Sequence, residues 1–239
     1  MQQAITERAA MRPLASTRMG MGIMGSHAAL DAGWPLIKHR LRPRQPLFLA
    51  GQDRGALYYV HSGCLKTRVI SADGRERITG FPMRGDILGL EALDLGTYAC
   101  DAIALDVGEA WELPCRHLDE APKALQAYVT RCLARELRRD WYWMLDLSTL
   151  SADARVALFL ADLSDRLAAL GYSAHQLMLR MTRAEIGSFL GLTLETVTRA
   201  LGRLQARGLV SVDGRVLELV DLAALRGVPA ADDIVPVCH

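Results

Sequence analysis

No run of about 18 consecutive apolar residues occurs anywhere in the chain, so no membrane-spanning helix is expected. The first residues lack a continuous apolar segment ahead of a small-residue cleavage site, and no secretion signal is expected either. Cysteine is sparse: Cys64, Cys100, Cys115, Cys132 and Cys238 lie scattered, with no C-x-x-C pair, and residues 1–63 contain none. That argues against a disulfide framework and against a zinc site, and it makes a reducing cytoplasm the simplest compartment. Charge of one sign is also missing. With 28 basic and 27 acidic residues the formal net charge is +1, so any affinity for nucleic acid must come from a local patch. A phosphate loop, metal-ligand spacing and a nucleophile motif are all absent, which leaves no basis for reading an enzyme.

What is present is concentrated between Thr182 and Gly208, TRAEIGSFLGLTLETVTRALGRLQARG. Thr182 with Glu185 three residues later forms a capping-box pattern, in which each side chain satisfies an orphan backbone donor. Ile186, Phe189 and Leu190 recur at helical spacing, and Gly191 stands where the chain must turn. Thr193 offers a second cap, and behind it Val197, Leu201 and Leu204 form an apolar stripe. Off that stripe lie Glu195, Thr198, Arg199, Arg203 and Arg207. A guanidinium suits guanine O6 and N7, a carboxylate accepts from cytosine N4, and threonine can touch a thymine methyl. Arg199, Arg203 and Arg207 share one helix edge that can continue onto phosphates; the competing reading is an ordinary solvated arginine face. Leu209–Val212, Asp213-Gly214 and Arg215–Val220 then read as a hairpin. Helix, turn, helix and hairpin make a winged helix-turn-helix.

The block MTRAEIGSFLGLTLETVTRALGRLQARGLV, with the wing VDGRVLEL, resembles the DNA-binding domain of the CRP/FNR regulators, and of their FNR branch in particular. The resemblance extends from about Pro35 to Ala224. It implies a DNA-reading motif E-x-x-[ST]-R on Glu195, Thr198 and Arg199, with a TTGAT-like half-site and the arginine on guanine. Thr198 stands where serine is usual. Thr182, Arg183, Arg203 and Arg207 are assigned to DNA phosphates.

Along the whole chain, five expected units run in order. Residues 1–33, with four methionines between Met11 and Met24, read as a flexible arm with one short helix near His27–Asp31. Residues 34–121 carry short alternating strands (Leu57–Val60, Cys64–Ile70, Arg75–Phe81, with Asp73-Gly74 as a hairpin tip) and frequent glycines, the pattern of a small antiparallel barrel. The runs HSGCLKT, ERITGF and RGDILGLEAL resemble the jelly-roll, cyclic-nucleotide-binding-like sensory domain of the family. Residues 122–150 read as one long helix on which Leu133, Leu137, Asp140, Met144 and Leu147 step by coiled-coil intervals. The resemblance implies that copies pair along it. Asp140 then either meets its own copy and weakens the pair, or tilts outward to Arg139 or to Arg138 of the partner subunit. Trp141 and Trp143 flank it and are expected against the barrel. Residues 147–153 read as a hinge, 151–226 as the winged helix-turn-helix domain and 227–239 as a frayed tail. The fold class is α+β.

The resemblance raises three effectors. Cyclic-nucleotide binders need a Glu where Leu90 stands and an Arg-Ser pair near Tyr98-Ala99, although Glu91 lies one position away. An iron–sulfur cluster needs three cysteines near the N-terminus and a fourth where Trp111 stands. Neither pattern is met, and no cofactor is expected from them. Haem remains open through His27, His39, His61 or His117, and so does a protein controlled by its abundance alone. The expected function is therefore a homodimeric transcription regulator on a TTGAT-N4-ATCAA-like palindrome, with double-stranded DNA, its own copy and RNA polymerase (through loops such as Asp73–Phe81, as an activator) as partners. The alternatives are a haem or nitric-oxide sensor of the same family, or a ligand-sensing module whose helix-turn-helix contacts protein.

Overall fold

The computed structural model describes residues 37–113 and 121–232, with side chains to residue 228. The expected N-terminal arm and its short helix, with His27, His117, Cys115 and Cys238, lie outside the described residues.

Among the described residues eight strands form the first unit: β1 (Ile37–Leu41), β2 (Pro46–Phe48), β3 (Leu57–Ser62), β4 (Leu65–Ile70), β5 (Glu76–Gly80), β6 (Ile87–Leu88), β7 (Asp101–Ala104) and β8 (Gly108–Leu113). They pair antiparallel in two four-stranded sheets, β1-β8-β3-β6 and β2-β7-β4-β5. Alternation decides which side chains enter. Val60 of β3 and Leu65 of β4 join Leu41, Phe48, Leu88, Tyr98, Cys100, Ala102 and Ala110 in closing the interior between the sheets, while Leu57 and Tyr59 of β3 are buried on the other face. Phe48 and Tyr98 stack at 3.9 Å between centroids, and the Tyr98 hydroxyl donates to the Ala56 carbonyl at 2.7 Å.

The long helix α1 (Lys123–Thr149) follows. Its first half buries Leu125, Tyr128, Val129 and Cys132 against Leu57, Tyr59, Ile87, Trp111 and Leu113 of the barrel. Beyond that, Leu133, Leu137, Trp141, Met144 and Leu145 are exposed, 44–67% accessible, a longer apolar stripe than the heptad spacing marked out. Three side chains depart from expectation. Trp141 faces outward. Trp143 is buried against the DNA-binding unit, edge-on to Phe189 at 5.0 Å, and not against the barrel alone. Leu147 is half-buried on that same core, so it leaves the exposed seam that Leu133, Leu137, Asp140 and Met144 share. The cause is the change of partner along α1, which turns the last two turns towards the second unit.

After Leu150, helix α2 (Ala152–Ala169) starts on Ser151, whose hydroxyl accepts from the Ala154 N–H as the cap pattern required. Then come β9 (Gln176–Met178), α3 (Arg183–Leu190), α4 (Leu194–Ala206), β10 (Val210–Asp213), β11 (Val216–Leu219) and α5 (Leu222–Asp232). The hairpin β10–β11 gains β9 as a third strand, order β10-β11-β9. Helix α5 corrects the reading of residues 227–239 as frayed: the helix continues to Asp232 and buries Leu225 and Val228, while Asp221 caps it through the Ala224 N–H at 2.9 Å. Gly227 and Pro229 read as breakers, but burial of Leu225 and Val228 outweighs their weak helix propensity. Arg226 is ion-paired to Asp165 of α2.

The two units share one core. Cys64, Ile78, Phe81 and Met83 from the barrel pack with Phe159, Leu160, Ile186 and Leu190. Arg166 of α2 is 6% exposed in this seam, donating to the Phe81 carbonyl at 3.1 Å and to the Asp86 carboxylate at 2.6 Å.

Candidate nucleic-acid interface

Helix α3 begins on a complete capping box. The Thr182 hydroxyl accepts from the Glu185 N–H at 3.2 Å, and Glu185 Oε2 accepts from the Thr182 N–H at 2.7 Å. It ends at Gly191, φ 66°, the left-handed conformation that closes a helix at least cost with glycine. The turn to α4 is tight because Gly187 has no side chain: a Cβ there would lie 2.6 Å from the Leu192 carbonyl oxygen, which passes directly over it. Gly187→Ala is expected to destabilise the protein by about 1–3 kcal/mol, since backbone and not a flexible side chain must give way. Urea unfolding of the variant beside wild type checks this, and an unchanged midpoint would refute the close approach.

Thr193 caps α4 through the Thr196 N–H at 3.2 Å. Val197, Ala200, Leu201 and Leu204 are buried, holding α4 on α2 and α3, while Glu195 and Arg199 are exposed and Thr198 is half-exposed on the opposite side. The three side chains named from the sequence therefore share the free front of one fixed helix. The Glu195 carboxyl is held below the usual range by its own backbone N–H, by the Thr193 hydroxyl and by the charge of Arg199, so it stays an acceptor. The Thr198 hydroxyl donates back to the Leu194 carbonyl at 2.9 Å, which leaves its methyl and lone pairs outward.

The residues assigned to phosphates fall into different environments. Thr182 is exposed at the start of α3 with Arg183 beside it, but the Thr182 hydroxyl proton is engaged by Glu185 Oε2 at 2.9 Å. A helix start also leaves backbone N–H groups without intrahelical acceptors. Arg207 is exposed at the end of α4. Arg203 departs from the set: its Nε and Nη2 bind Asp153 at 2.7 and 2.5 Å, tying α4 to α2. Sequence reasoning missed this pair because Asp153 lies 50 residues away; the only available signal was an acid in the first turn of α2.

Leu90 is buried, Glu91 is exposed, and Tyr98 fills the space beside Gly89, 3.0 Å from where a Cβ would stand. Arg166, 6% exposed, lies in the seam with α2 and not in the barrel. Neither Leu90 nor Tyr98 supplies the fixed guanidinium that a cyclic phosphate needs. Of the described histidines raised for haem, His39 binds Glu112 at 2.8 Å and His61 stacks on Trp111 at 4.0 Å.

Comparison with known proteins agrees with this geometry. Residues 38–123 match the cyclic nucleotide-binding domain and residues 154–228 the Crp-like helix-turn-helix domain. The transcriptional activator protein anr of Pseudomonas aeruginosa is 41% identical over 193 residues, covering 78% of this chain and 79% of its own. The fumarate and nitrate reduction regulatory protein of Salmonella typhimurium is 37% identical over 196 residues, 80% of this chain and 78% of its own. Among solved structures, FixK2 of Bradyrhizobium japonicum superposes with a TM-score of 0.72 at 28% identity, over 81% of this chain and 97% of that one. A β-barrel of the cyclic-nucleotide-binding type, a long helix and a winged helix-turn-helix thus stand together with relatives named as regulators rather than enzymes, and the chain belongs to the CRP/FNR family of DNA-binding transcription regulators.

Proposed function

We propose that the protein binds as a homodimer to a near-palindrome of the form TTGAT-N4-ATCAA, with Glu195, Thr198 and Arg199 of each copy reading one half-site. The observation that carries this reading is the exposure of those three side chains on the front of a helix whose back is fully buried. The half-sites lie about one helical turn apart, so that both α4 helices enter successive major grooves on one face of the duplex. Backbone N–H groups at the start of α3, with Arg183 and Arg207, hold the register on phosphates. Competition between the palindrome and duplexes carrying single-base changes tests it; equal affinity for all of them would overturn it.

The exposed stripe of Leu133, Leu137, Trp141, Met144 and Leu145 supports pairing along α1. Asp140 is exposed at the edge of that stripe, and burial against its neighbours already raises its carboxyl above the usual range, with Arg139 opposing the shift. Pairing desolvates it further beside its own copy. Asp140→Ala is accordingly expected to tighten the dimer, by about fivefold or more if the carboxylates face each other. Sedimentation equilibrium measures this, and an unchanged dissociation constant would place the side chain outside the seam.

Leu90 and Tyr98, where a cyclic nucleotide would need a Glu and an Arg-Ser pair, support a regulator that takes no cyclic nucleotide, working in the cytoplasm. For contact with RNA polymerase the β4–β5 connection is the candidate surface. Residues 71–77 are exposed there, whereas Ile78 and Phe81 are buried, which narrows the run Asp73–Phe81 to its first half.

A further inference from the structure

Helix α3 does not hang from the hinge alone; it lies along β5, the outer strand of the second barrel sheet. An outer strand leaves backbone groups unpaired, and here the Ile78 N–H donates to Ser188 Oγ at 3.0 Å. One strand further in, Lys66 of β4 places its ammonium 2.8 Å from Glu185 Oε1 and 3.3 Å from Glu76 Oε1. The Lys66 and Glu185 side chains are only 14% and 18% exposed. Glu76 is held in turn by Arg68 at 2.6 Å, and Arg68 by Asp101 at 2.8 Å. Asp101 is 6% exposed and accepts from the Ala50 N–H at 2.9 Å. Opposite charges therefore alternate from the barrel wall to the first turn of α3.

Glu185 is where the two units meet. One oxygen closes the capping box on Thr182, and the other takes Lys66. Burial pushes its carboxyl up, but the bonds from Lys66 and Thr182 outweigh burial and hold it below the usual range, so the bridge is ionic. Exposed ion pairs contribute little, but this one is mostly dry and its acid fixes a helix start. We infer that Lys66, a residue of the barrel, is a positioning residue for DNA binding: through Glu185 it fixes the N-terminus of α3, where Thr182 and Arg183 meet the phosphate backbone. The inference rests on the DNA reading proposed above. Without the ammonium, Glu76 and Glu185 repel across the seam and α3 tilts away from β5, carrying with it α4, which is packed on it.

Full-length Lys66→Met and Lys66→Arg are compared with wild type in binding to the palindromic duplex and in amide hydrogen exchange without DNA. Lys66→Met should weaken binding roughly three- to tenfold, and Lys66→Arg should recover most of that loss. Exchange at the Ile78 and Glu185 amides should quicken in Lys66→Met, while amides in the barrel interior keep their protection, which separates lost docking from lost folding. Binding by Lys66→Met equal to wild type, or Lys66→Arg as weak as Lys66→Met, overturns the role. Unchanged exchange at Ile78 and Glu185 also overturns it. A wild-type chain that does not prefer the palindrome overturns instead the DNA reading on which the inference stands, and the exchange arm tells the two failures apart.

Discussion

Arg199→Ala should lose about 1–3 kcal/mol of binding to the palindrome and, more tellingly, should cease to discriminate at the guanine. The size follows from the group. A guanidinium offers two parallel donors to O6 and N7, which no other base pair presents in that arrangement, and alanine replaces neither. The scaffold should survive the change, because the buried contacts of α4 come from Val197, Ala200, Leu201 and Leu204, and Arg199 lies outside them. Glu195 would lose a neighbouring positive charge, yet its own backbone N–H and Thr193 still hold it ionised. Titrating the variant against the palindrome and against a duplex with that guanine replaced gives the answer. The two affinities should converge, with the wild-type preference gone. Arg207→Ala supplies the contrast: as a phosphate contact it should weaken both duplexes alike and reduce the slope of log affinity against log salt by about 1. If Arg199→Ala behaved like Arg207→Ala, Arg199 would be a phosphate ligand and the assignment of the reading face would be wrong.

Local chemistry made the DNA-binding unit legible. Thr182 with Glu185, Gly191, Thr193 and Asp213-Gly214 each act on their own few residues, and the structure realises each of them within the span where it was written. The barrel strands were legible for the same reason, since alternation is a property of adjacent residues. What could not be seen were pairings between distant segments. Lys66 with Glu185 and Arg203 with Asp153 join residues 119 and 50 positions apart, and nothing in the spacing of either partner announces the other. The second partner of Trp143 was hidden because a helix that changes partners along its length has no single buried face. Helix α5 was missed because Gly227 and Pro229 oppose a helix locally while the core beneath Leu225 and Val228 requires one. Strand β9, three residues long, is defined only by the partner it finds on β11.

The same limit hides a residue whose loss should cost the fold heavily. Arg166→Met is expected to destabilise the protein by about 3 kcal/mol, because it leaves the Asp86 carboxylate and the Phe81 carbonyl without their donor in a seam closed by Phe81, Met83, Phe159 and Leu163. Asp86 is not wholly abandoned: it still accepts from the Met83 N–H at 2.9 Å, and its side chain is 26% exposed, so water relieves part of the charge. Asp86→Asn should cost less, since an amide oxygen can keep both bonds while the ionic part is lost. Replacing both, as Arg166→Met with Asp86→Asn, should cost less than the sum of the two, the coupling being the signature of a bond between them. Urea unfolding of the four proteins measures that coupling, and strict additivity would mean that the pair is not formed. The seam adds a second expectation. Because the barrel and the DNA-binding unit share one core there, wild type should unfold in a single transition, whereas Arg166→Met should let the units separate, with barrel and helix signals no longer coincident. Affinity for the palindrome should then fall although no DNA contact has been touched, since α3 and α4 are aimed by the barrel only while that seam is closed.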